Sequence, residues 1–190
     1  MRKYHHGDLR SALIEAGLKL LADRSADELG LREAARSVGV SATAVYRHFP
    51  DKGAFLAALA AEGLRQLGAA QRDAAERVGG GSAGFAATGA AYVRFAIANP
   101  ALFRLAFSAS GVQDASCLAP GGGEAPSNDA ALLLRDHSRN LSTDQAASRQ
   151  IALRAWALVH GLALLILDGQ VVLDDAEIDS VVSGFAPVKN

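Results

Sequence analysis

A chain of 190 residues, 50% apolar and 21% charged, is long enough to bury a core in one large or two small domains. Its single cysteine, Cys117, excludes an internal disulfide framework, and a net charge of −1 argues against a protein that coats nucleic acid by bulk electrostatics. The longest apolar run, Ala155 to Leu167, is interrupted by His160 and Gly161 short of a membrane span, and the start lacks the apolar stretch of a secretory signal, so a soluble cytoplasmic protein is expected.

Residues Met1 to Gly7 form a polar arm with Arg2, Lys3, His5 and His6. Adjacent histidines with no third ligand nearby do not make a metal site, so the arm is expected to lie along a DNA backbone or in a minor groove, or to fray. From Asp8 the spacing predicts a helix ending before Ser25, with Leu9, Leu13, Ala16, Gly17, Leu20 and Leu21 on one face. Asp27-Glu28-Leu29-Gly30 leads into a second helix, with Gly30 as N-cap and Glu33 at the positive end of the dipole.

Leu31, Ala34, Ala35 and Val38 recur at helical spacing, followed by Gly39, Val40 and the N-cap residue Ser41, after which Val45 returns to the apolar face of a short third helix. That is the spacing of a helix-turn-helix. Ala35 is small where two helices cross, Gly39 can take the positive φ of the tight turn, and Val38, Val40 and Val45 fill the wedge. A helix opening at Ser41 turns unpaired N–H groups toward a phosphate, and its exposed face offers Ala42, Thr43, Ala44, Tyr46, Arg47 and His48. Small residues at the tip with donors behind them suit a rod in the major groove, where methyl and hydroxyl groups approach base edges. Arg32 would face the duplex backbone and Arg36 solvent; an ordinary helical hairpin with a polar surface is the alternative that spacing alone leaves open. Over residues 1–56 nine Lys and Arg stand against seven Asp and Glu, and over the remainder ten against thirteen, which favours a few placed phosphate contacts over a broad footprint.

Phe49 and Pro50 stop the third helix, Asp51 caps, and Lys52 begins a long fourth helix to about Arg77. It either carries a ligand-driven tilt from one domain to the other or acts as a strut. After Gly79-Gly80-Gly81-Ser82, a fifth helix is predicted from Ala83 to Ala98 and a sixth from Pro100 through Phe107. Ser108 to Asn128 reads as a mobile loop in which Cys117, without cationic neighbours, is inert. A seventh helix follows from Asp129 to about Leu141. Ser142-Thr143-Asp144 caps an eighth that runs to Leu167, and a ninth runs from Asp175 to Phe185. No stretch alternates and no repeat is visible, so the fold class is all-α.

The eighth helix is apolar nearly all round and the ninth has a narrower stripe, which suits a four-helix interface with a twofold mate. Helix-turn-helix proteins need that symmetry to span two half-sites, so a homodimer through these two helices is expected. Tyr92, Phe95, Phe103, Phe107, Trp156 and His160 are the candidates to surround a cavity among the fifth to eighth helices, although each alone also reads as core. With Arg94 and Arg104 the main charges nearby, an apolar or amphipathic effector fits. There is no phosphate cradle, nucleophile elbow, paired-carboxylate motif or zinc spacing, so neither a cofactor, a metal nor an enzymatic reaction is expected.

The run Val45-Tyr46-Arg47-His48-Phe49-Pro50-Asp51-Lys52 resembles the signature of TetR/AcrR-family transcriptional regulators, in which an aromatic pair closes the recognition helix and a lysine opens the next. The resemblance extends back through Tyr4-His5-His6-Gly7-Asp8-Leu9-Arg10 and forward to a Trp156…His160-Gly161 pattern of the ligand-binding domain. Ala34 departs from the family's larger aliphatic, hinting at a lightly packed hairpin, and Gly53 from its acidic helix former, hinting at a softer start to the fourth helix. The resemblance implies a three-helix DNA-binding domain over 1–55 joined to a helical ligand-binding and dimerisation domain over 56–190, about nine helices in all. It further implies a repressor that binds a palindromic double-stranded operator as a homodimer and is released by a small effector. In that reading Thr43, the methyls of Ala42 and Ala44, and Arg47 meet bases, while Arg32, Ser41, Tyr46, His48 and Lys52 hold the backbone. A helical small-molecule-binding or adaptor protein that uses the hairpin for protein contacts is the competing class.

Overall fold

The computed structural model describes residues 9–108, 129–142 and 144–184. Among them are nine α-helices and no strand: α1 (Leu9–Leu21), α2 (Leu31–Val38), α3 (Ala42–Tyr46), α4 (Lys52–Arg77), α5 (Gly81–Ala98), α6 (Pro100–Phe107), α7 (Asp129–Leu141), α8 (Gln145–Leu167) and α9 (Asp175–Ser183). The arm, the loop after Ser108, Cys117 and Phe185 lie outside the described residues.

Boundaries follow from local chemistry. Asp51 Oδ1 accepts the Ala54 N–H at 2.7 Å, and Asp144 accepts from Ala146 and Ala147, so each long helix has a carboxylate at its positive end. A Cβ on Gly53 would lie 3.2 Å from the Asp51 carboxylate, so the glycine leaves room for the cap. Asp174 and Glu177 close α9 with reciprocal side-chain to backbone bonds, both 2.8 Å. The first helix stops at Leu21, three residues short of the expected limit. A 3-10 turn at Ala26–Glu28 follows, where the Glu28 carboxylate accepts the Ser25 N–H at 3.1 Å.

The chain divides into two compact units. The first holds the described residues up to Gly63 together with 99–108, so contacts change hands inside α4 and α6 groups with the N-terminal helices. Its core is Leu13, Leu29, Ala34, Val45, Phe49, Phe55 and Leu59. Ala34, expected to mark a lightly packed hairpin, is 0% exposed. Gly17 lets α1 approach α4: a Cβ there would stand 2.7 Å from Phe55 Cζ and 2.8 Å from Leu59 Cδ2. Gly63 does the same for α6, with Leu102 Cδ1 2.8 Å from where its Cβ would be. The Arg10 guanidinium sits 5.4 Å above the Phe49 ring, which meets Phe55 edge-on at 5.1 Å.

In the second unit α5 packs on α7, α8 and α9. At Gly89 a Cβ would meet Val182 at 2.6 Å and Val159 at 3.2 Å, which is how closely α5, α8 and α9 converge. Arg94 ties α5 to the start of α9 through Asp175 at 2.7 Å and Asp179 at 2.9 Å, and these carboxylates raise its pKa further. By length and composition α8 could cross a membrane, an 18-residue stretch of it averaging a hydropathy of 1.7. In this fold its Ala152, Ala155, Val159, Leu162 and Ala163 are buried in the second unit.

Candidate functional site

The hairpin is built from backbone outward. Gly39 takes φ 76, in the left-handed region, and its N–H together with that of Val40 satisfies the last carbonyls of α2, Val40 N reaching Ala35 O at 3.0 Å. Ser41 then accepts the Ala44 N–H on its hydroxyl at 3.3 Å and so starts α3. Two inward anchors orient this helix and its trailing turn: Val45 and Phe49 are buried, and the His48 and Phe49 N–H groups both bond to Val45 O at 2.9 Å. With that side fixed, Ser41, Thr43, Tyr46, Arg47 and His48 are exposed, while Ala42 and Ala44 are half-buried. Tyr46, 47% exposed, is an apolar ring turned to solvent beside two cationic or titratable side chains.

Arg32 is exposed near the start of α2, next to Glu33, whose carboxylate pairs with Arg24 at 2.7 Å. Lys52 has a structural partner that the sequence did not reveal. Its Nζ donates to the Asp27 carbonyl at 2.6 Å, tethering the start of α4 to the 3-10 turn. An ammonium carries three donors, so this bond leaves two others for a phosphate.

In the second unit Tyr92, Trp156 and His160 come together. The Trp156 Nε1–H donates to the Tyr92 hydroxyl at 3.3 Å, and that oxygen lies 2.7 Å from His160 Nδ1. The phenol oxygen thus stands between an indole donor and an imidazole nitrogen. Burial drives the Tyr92 phenol well above its usual range, against the smaller effect of the indole bond, and lowers the His160 pKa. Both stay uncharged at neutral pH.

The remaining candidates are distributed differently. Phe95 is half-buried on α5, whereas Phe103 and Phe107, with centroids 4.8 Å apart, stand on α6 in the first unit. Arg94 is held in its bridge to α9, and Arg104 is exposed on α6. Sequence reasoning passed over Gln71 of α4, whose Nε2 donates to Thr88 O at 3.2 Å inside the second unit. A lone glutamine at helical spacing carries no signal of such a role. The outward face of α8 forms a four-residue ladder, Leu153-Ala157-Gly161-Leu165, in which Leu153 is 51% and Leu165 46% exposed. A Cβ on Gly161 would touch nothing within 4 Å, and Val181 of α9 is a further exposed apolar side chain.

Comparison with known proteins covers the same two parts. Residues 13–59 match the family model described as bacterial regulatory proteins, tetR family, and residues 85–183 match a tetracyclin repressor-like C-terminal domain. Among solved structures, a protein with unknown function from Rhodococcus sp. RHA1 is 34% identical, with 98% of this chain and 95% of that chain covered and a TM-score of 0.70. A tetR-family transcriptional regulator from Streptomyces coelicolor is 22% identical over 96% of this chain and 80% of its own, TM-score 0.59. The flavonoid-responsive regulator FrrA is also 22% identical, over 94% and 93%, TM-score 0.55. These last two show the likeness of fold.

Proposed function

The chain belongs to the TetR family and is a ligand-responsive DNA-binding transcriptional regulator; from that membership we propose that it is a repressor, binding a palindromic operator as a homodimer. The observation that carries the DNA-binding half of this reading is the setting of α3. Val45 and Phe49 hold it from within, so Thr43, Tyr46, Arg47 and His48 turn outward from a helix short enough for the major groove. Thr43, the methyls of Ala42 and Ala44, and Arg47 read base edges; Arg32, Ser41, Tyr46, His48 and Lys52 bind the backbone.

Two copies join through α8 and α9. The ladder Leu153-Ala157-Gly161-Leu165 supports this, because it leaves apolar side chains uncovered on a long apolar helix, with a small residue where a partner helix can approach. The second unit binds a small apolar or amphipathic effector that releases the DNA, and the partly buried, uncharged Tyr92–His160–Trp156 chain supplies polar orientation within a mainly apolar interior. The protein acts in the cytoplasm, where its operator is. A mobility-shift assay on DNA from upstream of its own gene tests the reading. Retention that resists unrelated competitor DNA is the expected result, and no retention even at low salt would contradict it.

A further inference from the structure

Among the described residues four polar side chains are buried, Gln71, Thr88, Ser138 and Ser148, and all belong to the second unit. The Thr88 hydroxyl donates to Phe85 O and the Ser138 hydroxyl to Leu134 O, each at 2.7 Å within its own helix. Gln71 differs from these. It is 7% exposed, its Nε2 donates to Thr88 O at 3.2 Å, and its buried Oε1 has no hydrogen-bond partner. The amide cannot be turned around to cure this, because Thr88 O only accepts and would then face a second oxygen. Buried acceptors in native proteins almost always have a donor, so an orphaned one marks a place where another molecule supplies it.

Three residues back along α5 from Thr88, the Phe85 ring stands 6.1 Å from His137 of α7. His137 Nδ1 lies 2.9 Å from Leu133 O and donates to it, since a carbonyl oxygen only accepts. Arg135 Nε, two residues before His137 on α7, is a buried donor without a hydrogen-bond partner, as Gln71 Oε1 on α4 is a buried acceptor without one.

We infer that the second unit takes its effector through a hydrogen-bond donor: a neutral or cationic small molecule whose O–H or N–H is given to Gln71 Oε1, with an aromatic or aliphatic body against the Phe85 side of α5. This rests on the reading of the second unit as the effector-binding part. A carboxylate or phosphate alone offers no proton to Gln71 Oε1.

The test is a thermal shift of the full chain with phenol and with anisole, aromatic probes of similar shape of which only phenol donates. Phenol is expected to raise Tm more than anisole does at equal concentration, because a ligand bound only by the folded state stabilises it by mass action. That difference disappears in Gln71→Met, which keeps the length of the side chain without its acceptor or its donor. Equal shifts from the two probes, or a difference that survives Gln71→Met, would overturn the inference. Retention of upstream DNA with and without phenol separates the two levels: a Gln71-dependent shift that leaves retention unchanged keeps the subsite and contradicts the effector reading.

Discussion

The Tyr92 hydroxyl of α5 lies 2.7 Å from His160 Nδ1 of α8, and the Trp156 indole donates into the same oxygen at 3.3 Å. One phenol thus satisfies two side chains that stand one turn apart on another helix. Burial lowers the His160 pKa, so the imidazole that meets this oxygen is neutral at pH 7.

That lowering makes stability depend on pH. The unfolded chain protonates this histidine near its ordinary pKa of about 6.5, above the folded value, so in between the unfolded state binds more protons. The contribution is complete above the unfolded pKa and is lost as pH falls through the folded one. Tm should therefore drop between about pH 7.5 and about pH 5.5. His160→Asn, whose Oδ1 can accept from Tyr92 without titrating, should drop less. Parallel curves for the two proteins would assign the pH dependence elsewhere.

Removing the hydroxyl with Tyr92→Phe leaves the indole N–H and Nδ1 to find other partners. Because Trp156 and His160 are only half-buried, the cost should fall toward the lower part of the range for an unmade bond, about 1–2 kcal/mol. Denaturant midpoints measure it; a lower midpoint with an unchanged m-value is expected, and an unchanged midpoint would show that the phenol bonds are dispensable.

Gly17 and Gly161 are opposite cases of glycine within a helix. At Gly17 an added methyl runs into Phe55 and Leu59, both buried, and the overpacking cost of about 1–3 kcal/mol should outweigh the gain of about 1 kcal/mol in helix propensity. Gly17→Ala should therefore melt lower than the parent, and a higher melting point would show that α1 shifts freely.

The α8 ladder yields a prediction about assembly. Leu165→Glu puts a charge on a side chain that is 46% exposed in one protomer, so it should leave the helical circular dichroism intact while shifting sedimentation from dimer to monomer. A variant that still sediments as a dimer would move the interface away from this face of α8.

Lys52 and Thr43 should separate backbone from base contact. Lys52→Ala is expected to weaken DNA binding about equally on all sequences and flatten the salt slope by about one unit, whereas Thr43→Val should alter sequence preference. Since Lys52 also bonds to the Asp27 carbonyl at 2.6 Å, its loss should lower the melting temperature slightly as well. An unchanged salt slope would leave it the tether alone.

Helix positions were legible because the punctuation is chemical and local: Gly39 and Ser41 between α2 and α3, Asn99-Pro100 before α6, Asp144 before α8. The 3-10 turn was legible too, through Ser25 and Glu28 three residues apart, but was read as lead-in to the next helix. What could not be read is what depends on distant partners. An apolar stripe on α6 says that it buries a face, and only the fold says that Leu102 meets Gly63 in the first unit. Tyr92 and His160 could each be named as polar candidates, but their bond spans 68 residues and has no local signature. The Lys52 tether ends on a backbone carbonyl, which every residue possesses, so no residue type could announce it.

Footprinting the wild-type chain on DNA from upstream of its gene tests the central claim most directly, because it reads the exposed α3 face and the pairing of two copies in one experiment. Two protected half-sites related by a dyad, their centres about 34–36 Å apart or a multiple of that, are predicted. A single unpaired protected patch, or protection that survives substitution of Thr43, Tyr46 and Arg47 together, would contradict it.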